Sequence, residues 1–399
     1  MAFPRGVKDA MARLTRAERQ DRTRHRVLEA ARAEFAENAF RGATIDGIAH
    51  RAGVTRGAVY SNFPGKRALY LTVLAREAEK TAAPAGRDPG RTPQAAVEAF
   101  ADAWMQRVPR SARHGRRGSA RLRSPMLGID LLPEITTADD LRRPFTQLLK
   151  LDALLLASAL RTLGERRSGW SEQLGIAEAL LTTLYGATQL AFAAPDFVES
   201  AAVRTLCGQM ADSARDGDCA ARIRLPGPSA AYVSDPWAAP ACTDLLHRAP
   251  ANLDPQVIAI LGTHKLTTAG DLLSSLPAGA ALTVAIVTEN AAELAPLARL
   301  AVLDIGRALR HAFPPAALAN LQVVVDESGA VAAACGIGPV DDATESAVIT
   351  AKGRIIVRAR GRGACHAAAD TVRRATDGAP ANVIADPSIY GGNLSGFGA

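Results

Sequence analysis

Apolar residues recur at helical spacing over most of the first half of the chain. A first helix is predicted over 21–37 from the spacing of Val27, Leu28, Ala31 and Phe35. Gly42 breaks the helical pattern after it. Between residues 94 and 214 the helical pattern continues, and no segment shows the alternation of apolar and polar residues that is typical of a half-buried strand. The helices predicted there cover 94–107, 140–163, 172–193 and 197–214.

Two short helices are predicted between the first helix and residue 64. Thr44 is a good N-cap for one, with Ile48 and Ala49 pointing inward, and Gly53 provides the turn that follows. Thr55 is a good N-cap for the next, which ends near Phe63. Pro and Gly then break the chain, and a fourth helix is predicted from Lys66.

The hydrophobic pattern changes after a Pro-rich stretch at 215–255, which we interpret as a linker. Apolar runs beyond it predict strands at 281–287, 321–325, 347–350 and 354–359. Helices are predicted at 292–313, 329–336 and 365–375. The predicted organisation is a basic N-terminal extension (1–20), a helix-turn-helix domain (21–81), a helical domain (94–214), the linker, an α/β domain (256–376) and a flexible tail (377–399).

Positive charge is concentrated at the N-terminal end of the chain. The 399 residues carry a net charge of +7, and residues 1–80 hold 16 basic and 9 acidic residues, so the rest is balanced. A local basic excess is what a protein that binds nucleic-acid phosphates needs. A solvated basic tail would have the same composition, so charge alone leaves both interpretations open.

Composition excludes several protein classes. Hydrophobic residues make up 48% and charged residues 22%, as in globular proteins. The longest uncharged stretch, 179–195, contains polar residues, so we expect no membrane helix. Five scattered cysteines, an odd number, argue against a disulfide framework, so we expect the protein to be located in the reducing cytoplasm. The spacing of His and acidic residues predicts no metal site, and we expect no cofactor.

The segment 44–63 has the layout of a helix-turn-helix. A helix of this kind fits the major groove of DNA, where its N-terminal residues reach the base edges. Arg56 is the best candidate for a bidentate contact to guanine, and Gly57 permits a close approach of the backbone. Thr44 and Thr55 can place hydroxyls and amides on phosphates. A two-helix packing motif without nucleic acid is the alternative.

The same region resembles the N-terminal domain of the tetracycline-repressor (TetR) family of bacterial transcription regulators. The resemblance covers residues 24–75, in the segments VLEAARAEFAENAFRGATIDGIAHRAGVT and RGAVYSNFPGKRALYLTVL. It implies a DNA-binding three-helix bundle, a connecting helix, a helical effector domain and homodimerisation. The DNA-contacting positions it implies are Thr44, Thr55, Arg56, Gly57, Ala58, Tyr60, Ser61, Asn62, Phe63 and Lys66.

Residues 94–214 lie where the family has its ligand-binding and dimerisation domain. Helices at about 172–193 and 197–214 have the apolar faces that the dimer interface requires. Six large residues could line an effector cavity, and ordinary core packing is the alternative for each. They are Trp104, Met105, Met126, Trp170, Tyr185 and Phe192.

The C-terminal part resembles thioredoxin-like proteins. The segments VVVDESGAVAAACGI and SAVITAKGRIIVRARG carry the resemblance, followed by an Ala-rich helix. The position after the strand at 281–287, where that class has its reactive cysteine, contains no Cys. Cys335 is predicted to be a packing residue. Cys365 lies near a helix start beside basic residues, which could lower its pKa and permit redox sensing.

The expected fold class is mainly α, with TetR-like DNA-binding and helical domains followed by an α/β thioredoxin-like domain. The expected function is a homodimeric repressor that binds a pseudo-palindromic operator in double-stranded DNA and is released by a small-molecule effector. We expect no enzymatic activity. The alternative is a regulator fused to a thioredoxin-like oxidoreductase or redox-sensing module. The α/β domain, set apart by the linker, is expected to fold alone.

Overall fold

In the computed structural model of the chain, the described residues are 16–81, 88–108, 132–164, 169–194, 196–212, 230–277 and 279–376. The predicted flexible tail and residues 1–15 of the predicted extension lie outside them. Residues 16–20 belong to the first helix rather than to an arm that precedes it.

The N-terminal half of the described chain is helical. The predicted helices are present there, with ends that differ by a few residues. The helices are α1 Arg16–Gly42, α2 Ile45–Ala52, α3 Arg56–Tyr60, α4 Lys66–Lys80, α5 Pro93–Met105, α6 Leu132–Ile135, α7 Asp139–Leu163, α8 Trp170–Ala193 and α9 Ser200–Asp212.

The C-terminal half combines strands and helices. Its elements are β1 Ala231–Pro236, β2 Thr243–Asp244, β3 Ala249–Pro250, β4 Gln256–Gly262, α10 Ala269–Ser275, β5 Leu282–Val287, α11 Leu294–Ala312, β6 Leu321–Val325, α12 Ala330–Ala334, β7 Glu345–Ala351, β8 Arg354–Arg360 and α13 Ala364–Thr376. Six strands form one mixed sheet in the order β1-β8-β7-β4-β5-β6. Strands β4, β5 and β6 are parallel, and the β7–β8 hairpin runs antiparallel to β4.

Strand β4 is the central strand of this sheet, and every one of its residues is buried. Ala259 and Leu261 belong to the core that the sheet shares with the helices, while Ile258 and Ile260 belong to a smaller core on the opposite face. At the end of the strand a Cβ on Gly262 would lie 2.4 Å from the Asp342 carbonyl carbon. Glycine is therefore required there, because the loop before β7 crosses directly over the strand.

The structure differs from the prediction in the stretch at 215–255. Its described part, 230–255, is not only a linker, because β1 pairs with β8 as an edge strand and β2 with β3 as a small hairpin. The hairpin β7–β8 adjoins β4, a strand that was not predicted from the sequence pattern. A mixed sheet with helices is thus confirmed, and its thioredoxin-like identity stays a prediction.

Helix α11 joins the sheet to the helical half. Every residue of α11 is buried except Arg299, Arg307 and Arg310. The helix packs against α4, α5 and α7 and also contacts β6. Buried residues of the helical half and of one sheet face therefore form one continuous hydrophobic core. The α/β part has a core of its own on one face of the sheet, while the core on the other face is shared with the helical half.

Polar contacts reinforce this junction. The Arg67 guanidinium in α4 pairs with Glu293, just before α11, at 2.5 Å. The Arg161 guanidinium in α7 donates to the Leu273 carbonyl in α10 at 2.8 Å. Arg107, beyond the end of α5, pairs with Asp304 of α11, and both side chains are almost fully buried. The two halves are therefore joined by charged as well as apolar contacts.

Candidate nucleic-acid interface

Helix α2 has a capping interaction at each end. The Thr44 hydroxyl accepts a hydrogen bond from the Gly47 amide at 3.0 Å. At the other end Gly53 has a φ of 61°, a left-handed conformation that glycine adopts without strain, and its amide donates to Ala49 and His50. Local sequence thus sets where α2 begins and where the turn follows.

Helix α3 is short and is held by one buried side chain. The Thr55 hydroxyl accepts from the Ala58 amide at 3.2 Å, which caps its start. Val59 is fully buried, so α3 packs through this residue and turns its other side outward. Arg56, Gly57 and Tyr60 are exposed as a result. This is the face expected to reach DNA base edges.

The Arg56 side chain is held over the outer surface of α3. Its guanidinium lies 3.4 Å from an Asp46 carboxylate oxygen and donates to the Tyr60 hydroxyl at 3.4 Å. Hydrogen bonding to Tyr60 and the nearby Asp46 charge both raise the pKa of Arg56, so it stays cationic. The charge is presented at the point where a base contact is predicted.

The predicted contact residues divide into three groups by exposure. Thr44, Thr55, Arg56, Gly57, Tyr60 and Ser61 are exposed, and Ala58, Asn62 and Lys66 are half-buried. Phe63 is buried, which fits packing rather than contact. The Lys66 ammonium donates to the Ala43 carbonyl at 3.1 Å and lies over the Phe40 ring, so it also joins the start of α4 to the end of α1.

Two arginines of α1 position the motif, and no pattern in the sequence indicated this role. The Arg24 guanidinium donates to the Asn62 carbonyl at 3.2 Å and lies over the Phe63 ring. The Arg26 guanidinium donates to the carbonyls of Ala52 and Gly53 at the end of α2. Both contacts join residues distant in sequence, and only the basic character of α1 hinted at them.

We expect Arg24→Met to weaken operator binding about tenfold by loosening the end of α3, because it removes a charge-assisted hydrogen bond. The dependence of affinity on salt should stay unchanged, since the Arg24 guanidinium is used inside the protein rather than on phosphates. Fluorescence anisotropy over a series of salt concentrations measures both quantities. Arg32→Met, on the same helix with a half-exposed side chain, is the control. A flatter salt dependence for Arg24→Met would instead make it a phosphate contact.

The predicted effector residues occupy different parts of the helical half. Trp104 and Met105 are buried, and Trp170, Tyr185 and Phe192 are partly buried against the same core. Met126 lies outside the described residues. The Trp104 and Tyr185 rings are in contact, with centroids 5.1 Å apart in an edge-to-face arrangement.

Of the three described thiols of the α/β part, those of Cys335 and Cys365 are buried and that of Cys242 is partly exposed. Cys335 and Cys365 have no exposed surface, and burial raises the pKa of Cys335 to about 12. Burial also raises the pKa of Cys365, and Glu345 adds to the effect. The sequence left open whether basic neighbours lower the pKa of Cys365, and they do not, because its side chain turns into the core.

The part of the chain that the structure describes has neither a membrane-spanning helix nor a cluster of metal ligands. None of its helices is both long enough and apolar enough to cross a membrane. No group of three or more His, Cys, Asp or Glu side chains within it is arranged to hold a metal ion.

Comparison with known proteins identifies the N-terminal domain. Residues 27–73 match the family model for bacterial regulatory proteins of the tetR family. The HTH-type transcriptional regulator SrpR of Pseudomonas putida is 49% identical over 65 residues, which are 16% of this chain and 30% of SrpR. The uncharacterized HTH-type transcriptional regulator TtgW, also of Pseudomonas putida, is 49% identical over 65 residues, which are 16% of this chain and 48% of TtgW. The chain thus aligns with less than half of either relative.

Solved structures show a weaker likeness. A transcriptional regulator from Rhodococcus sp. Rha1 matches 47% of this chain and 94% of its own, with a TM-score of 0.34 and 21% identity. A TetR-family regulator from Cytophaga hutchinsonii matches 50% of this chain and 98% of its own, with a TM-score of 0.34 and 16% identity. The domain-level match carries the assignment: over residues 27–73, this chain contains the DNA-binding domain of the tetR family of bacterial regulatory proteins.

Proposed function

We propose that the chain is a homodimeric transcriptional repressor that binds a pseudo-palindromic operator and is released by a small-molecule effector. The observation that carries the proposal is the exposed outer face of α3, with Arg56, Gly57 and Tyr60, in a domain of the tetR family. The contacts are assigned to the predicted positions other than the buried Phe63, with Arg56 reading guanine and the two cap threonines on phosphates.

Exposed apolar side chains support dimerisation through α8 and α9. Leu190 in α8 is 46% exposed, Leu206 in α9 is 50% exposed and Phe197 between them is 75% exposed. Large apolar residues are costly to leave in water, and a second copy of the chain that covered them would remove that cost. A two-fold partner that covers them would place two copies of α3 on successive half-sites of one operator.

Helix α4 provides a route from an effector to DNA. It follows the DNA-binding motif directly, and both of its ends are held by the C-terminal half. Arg67 in its first turn pairs with Glu293 and Asp140, and Glu79 in its last turn pairs with Arg299. A change in the core around α4 would therefore alter the orientation of the motif.

The redox alternative has less support. A thiolate attacks more readily than a thiol, and burial raises the pKa of Cys335, Cys365 and Cys207. We therefore propose that the protein acts in the cytoplasm as a regulator and not as an enzyme. A dithiol-dependent disulfide reductase assay tests this part of the proposal, and measurable turnover would contradict it.

We expect Arg56→Ala to abolish specific operator binding while the dimer persists. Loss of a bidentate guanine contact costs about ten- to a hundredfold in affinity per half-site, and a two-fold dimer loses it twice. Footprinting of the adjacent intergenic regions would identify the operator, and anisotropy would measure the affinity.

Arg142→Ala is the matched control for this variant. Arg142 lies on α7 and pairs with Asp139, and its side chain is 59% exposed, as is that of Arg56. Arg142→Ala should bind the operator as the wild type does. Arg56→Ala binding within a factor of about two of the wild type would remove Arg56 from the readout.

A further inference from the structure

A cavity of about 430 Å³ lies at the carboxyl end of β6, in the α/β part. Strand β6 runs parallel to β5, and ligands of open α/β sheets bind outside the carboxyl ends of such strands. The volume is within the range of small-molecule sites, about 300–1,000 Å³. Leu245 and Val331 line the cavity, and both belong to the buried core. The cavity therefore has the location, the size and the apolar lining of a ligand site.

The cavity wall includes part of the outer edge of the sheet. The Val323 carbonyl accepts from the Leu245 amide at 2.8 Å, and the Val323 amide donates to Asp244, so the segment at 244–245 covers β6 at this residue. Backbone groups alternate in direction along a strand, so those of Val325 point to the same side as those of Val323. Val325 lines the cavity. Its carbonyl is thus placed to accept a hydrogen bond from a bound molecule.

Two carboxylates give the cavity a negative charge. Asp326 lines it and is only 7% exposed, and one of its oxygens accepts from the Ala332 amide at 2.8 Å, which fixes the carboxylate. Glu327, the next residue of the lining, is exposed. Among the described residues that line the cavity, Arg299 is the basic one, and its guanidinium donates to Glu79 at 3.1 Å. The charge that a ligand would meet is therefore negative.

A buried carboxylate, a strand carbonyl and an apolar wall together favour an organic cation. An ammonium group can donate to Asp326 and to the Val325 carbonyl, and hydrogen bonds that involve a charged group are the strong ones. An anionic ligand would instead be repelled by Asp326 and Glu327. We propose that this cavity binds a small organic amine as its ammonium ion, with Asp326 as the counter-ion, and that the bound amine acts on α4.

The elements around the cavity also hold the end of α4. Arg299 pairs with Glu79 in the last turn of this helix. In the turn between β2 and β3, the Arg248 guanidinium donates to the carbonyl of Thr81, the residue that ends α4, at 3.2 Å. A bound amine that displaces Arg299 or this turn would therefore change the orientation of α4 and of the DNA-binding motif before it. The action on α4 rests on the proposed function, which supplies the operator.

The test uses the full chain and two probes of nearly equal size, tryptamine and neutral tryptophol. Isothermal titration calorimetry should show tryptamine binding at least about tenfold tighter than tryptophol. Asp326→Asn should lose at least about tenfold in tryptamine affinity and leave tryptophol unchanged. The amide retains an oxygen that can accept from the Ala332 amide, so the variant removes the charge and keeps the local hydrogen bond.

Cys242 reports whether the amine binds in this cavity. Its thiol lines the cavity and is partly exposed. Methyl methanethiosulfonate converts the thiol to a methyl disulfide, and peptide mass spectrometry separates Cys242 from the other cysteines. Tryptamine should slow this labelling in proportion to the occupied fraction of the cavity. At the same tryptamine concentration, the labelling rate of Cys242 in Asp326→Asn should be nearly unchanged.

Glu289→Gln is the matched control. Glu289 follows the end of β5 by two residues, as Glu327 follows the end of β6, and it is exposed and outside the cavity lining. It should bind tryptamine as the wild type does. Glu327→Gln should lose a smaller part of the affinity than Asp326→Asn, because water screens its exposed charge. Thermal melting shows whether Asp326→Asn is folded, and Glu327→Gln tests the charge if it is not.

Four results would each overturn the amine site. They are equal binding of the two probes, absence of tryptamine binding to the wild type, full retention of affinity by a folded Asp326→Asn, and tryptamine binding that leaves the labelling of Cys242 unchanged.

Operator binding separates this inference from the proposed function. Tryptamine should weaken operator binding by the wild type and not by Asp326→Asn. Operator binding that is intact but insensitive to tryptamine would overturn the action on α4 and leave the repressor standing. Tryptamine binding that needs Asp326, in a chain that binds no specific DNA, would overturn the repressor and leave the amine site standing.

Discussion

A chain that ends at Asp212 should fail to accumulate as a soluble, cooperatively melting protein. The truncation removes α11, whose two apolar faces lie between the sheet and helices α4, α5 and α7. Helix α4 has buried residues on several sides, including Leu69, Leu71 and Leu74. Removal of α11 would therefore expose part of the apolar surface of α4 to water. Apolar surface costs roughly 25 cal/mol per Å² when exposed, and a newly opened face of several helices promotes aggregation.

Expression, gel filtration and thermal melting would measure the effect. A chain that ends at Thr376 is the control, because it retains every described element and should behave as the full chain does. A chain ending at Asp212 that is dimeric, melts cooperatively and binds the operator would show that the C-terminal half is a separable domain. The same outcome would restore the expectation drawn from the Pro-rich stretch.

We expect Asp304→Ala to destabilise the protein by about 3–5 kcal/mol, because it leaves the Arg107 charge buried without its carboxylate partner. The exposed fractions of the two side chains are 7% for Arg107 and 3% for Asp304, so water can do little to compensate. The free energy of unfolding from urea denaturation would measure the loss. Because the pair joins the end of α5 to α11, the loss of stability should lower the midpoint of the whole urea unfolding transition.

Two variants test whether burial causes this loss. The double change Arg107→Met with Asp304→Leu should recover most of the stability, since an apolar pair does not need a counter-charge. Asp139→Ala breaks the exposed pair with Arg142 and should change the unfolding free energy by less than about 1 kcal/mol. A loss from Asp304→Ala no larger than that from Asp139→Ala would contradict the prediction.

The DNA-binding motif was predicted from sequence because its signals are local. Thr44 and Thr55 cap the two helices where the pattern placed them, and Gly53 adopts the left-handed turn between them. The start of α4 at Lys66 was also predicted. Each of these features depends on hydrogen bonds within a few residues, so a single stretch of chain contains the whole signal.

The sheet was predicted only in part. Strand β6 has the predicted bounds, and both strands of the hairpin β7–β8 are slightly longer than predicted. The segment QVIAILG forms the central strand β4, yet a short, wholly apolar run does not distinguish a buried strand from a helix. Its identity is decided by β5 and β7, which pair with it from far along the chain.

The order of a basic helix-turn-helix domain, a helical region and a mixed α/β region could be predicted from the sequence alone. Composition, periodicity and helix caps are properties of neighbouring residues, so they can be recognised in the sequence without knowledge of the fold. The tertiary contacts were needed to show that α11 joins the two halves into one core and that Arg24 and Arg26 position the motif. These contacts join residues that are distant in sequence, and their energies depend on burial, which no local pattern records.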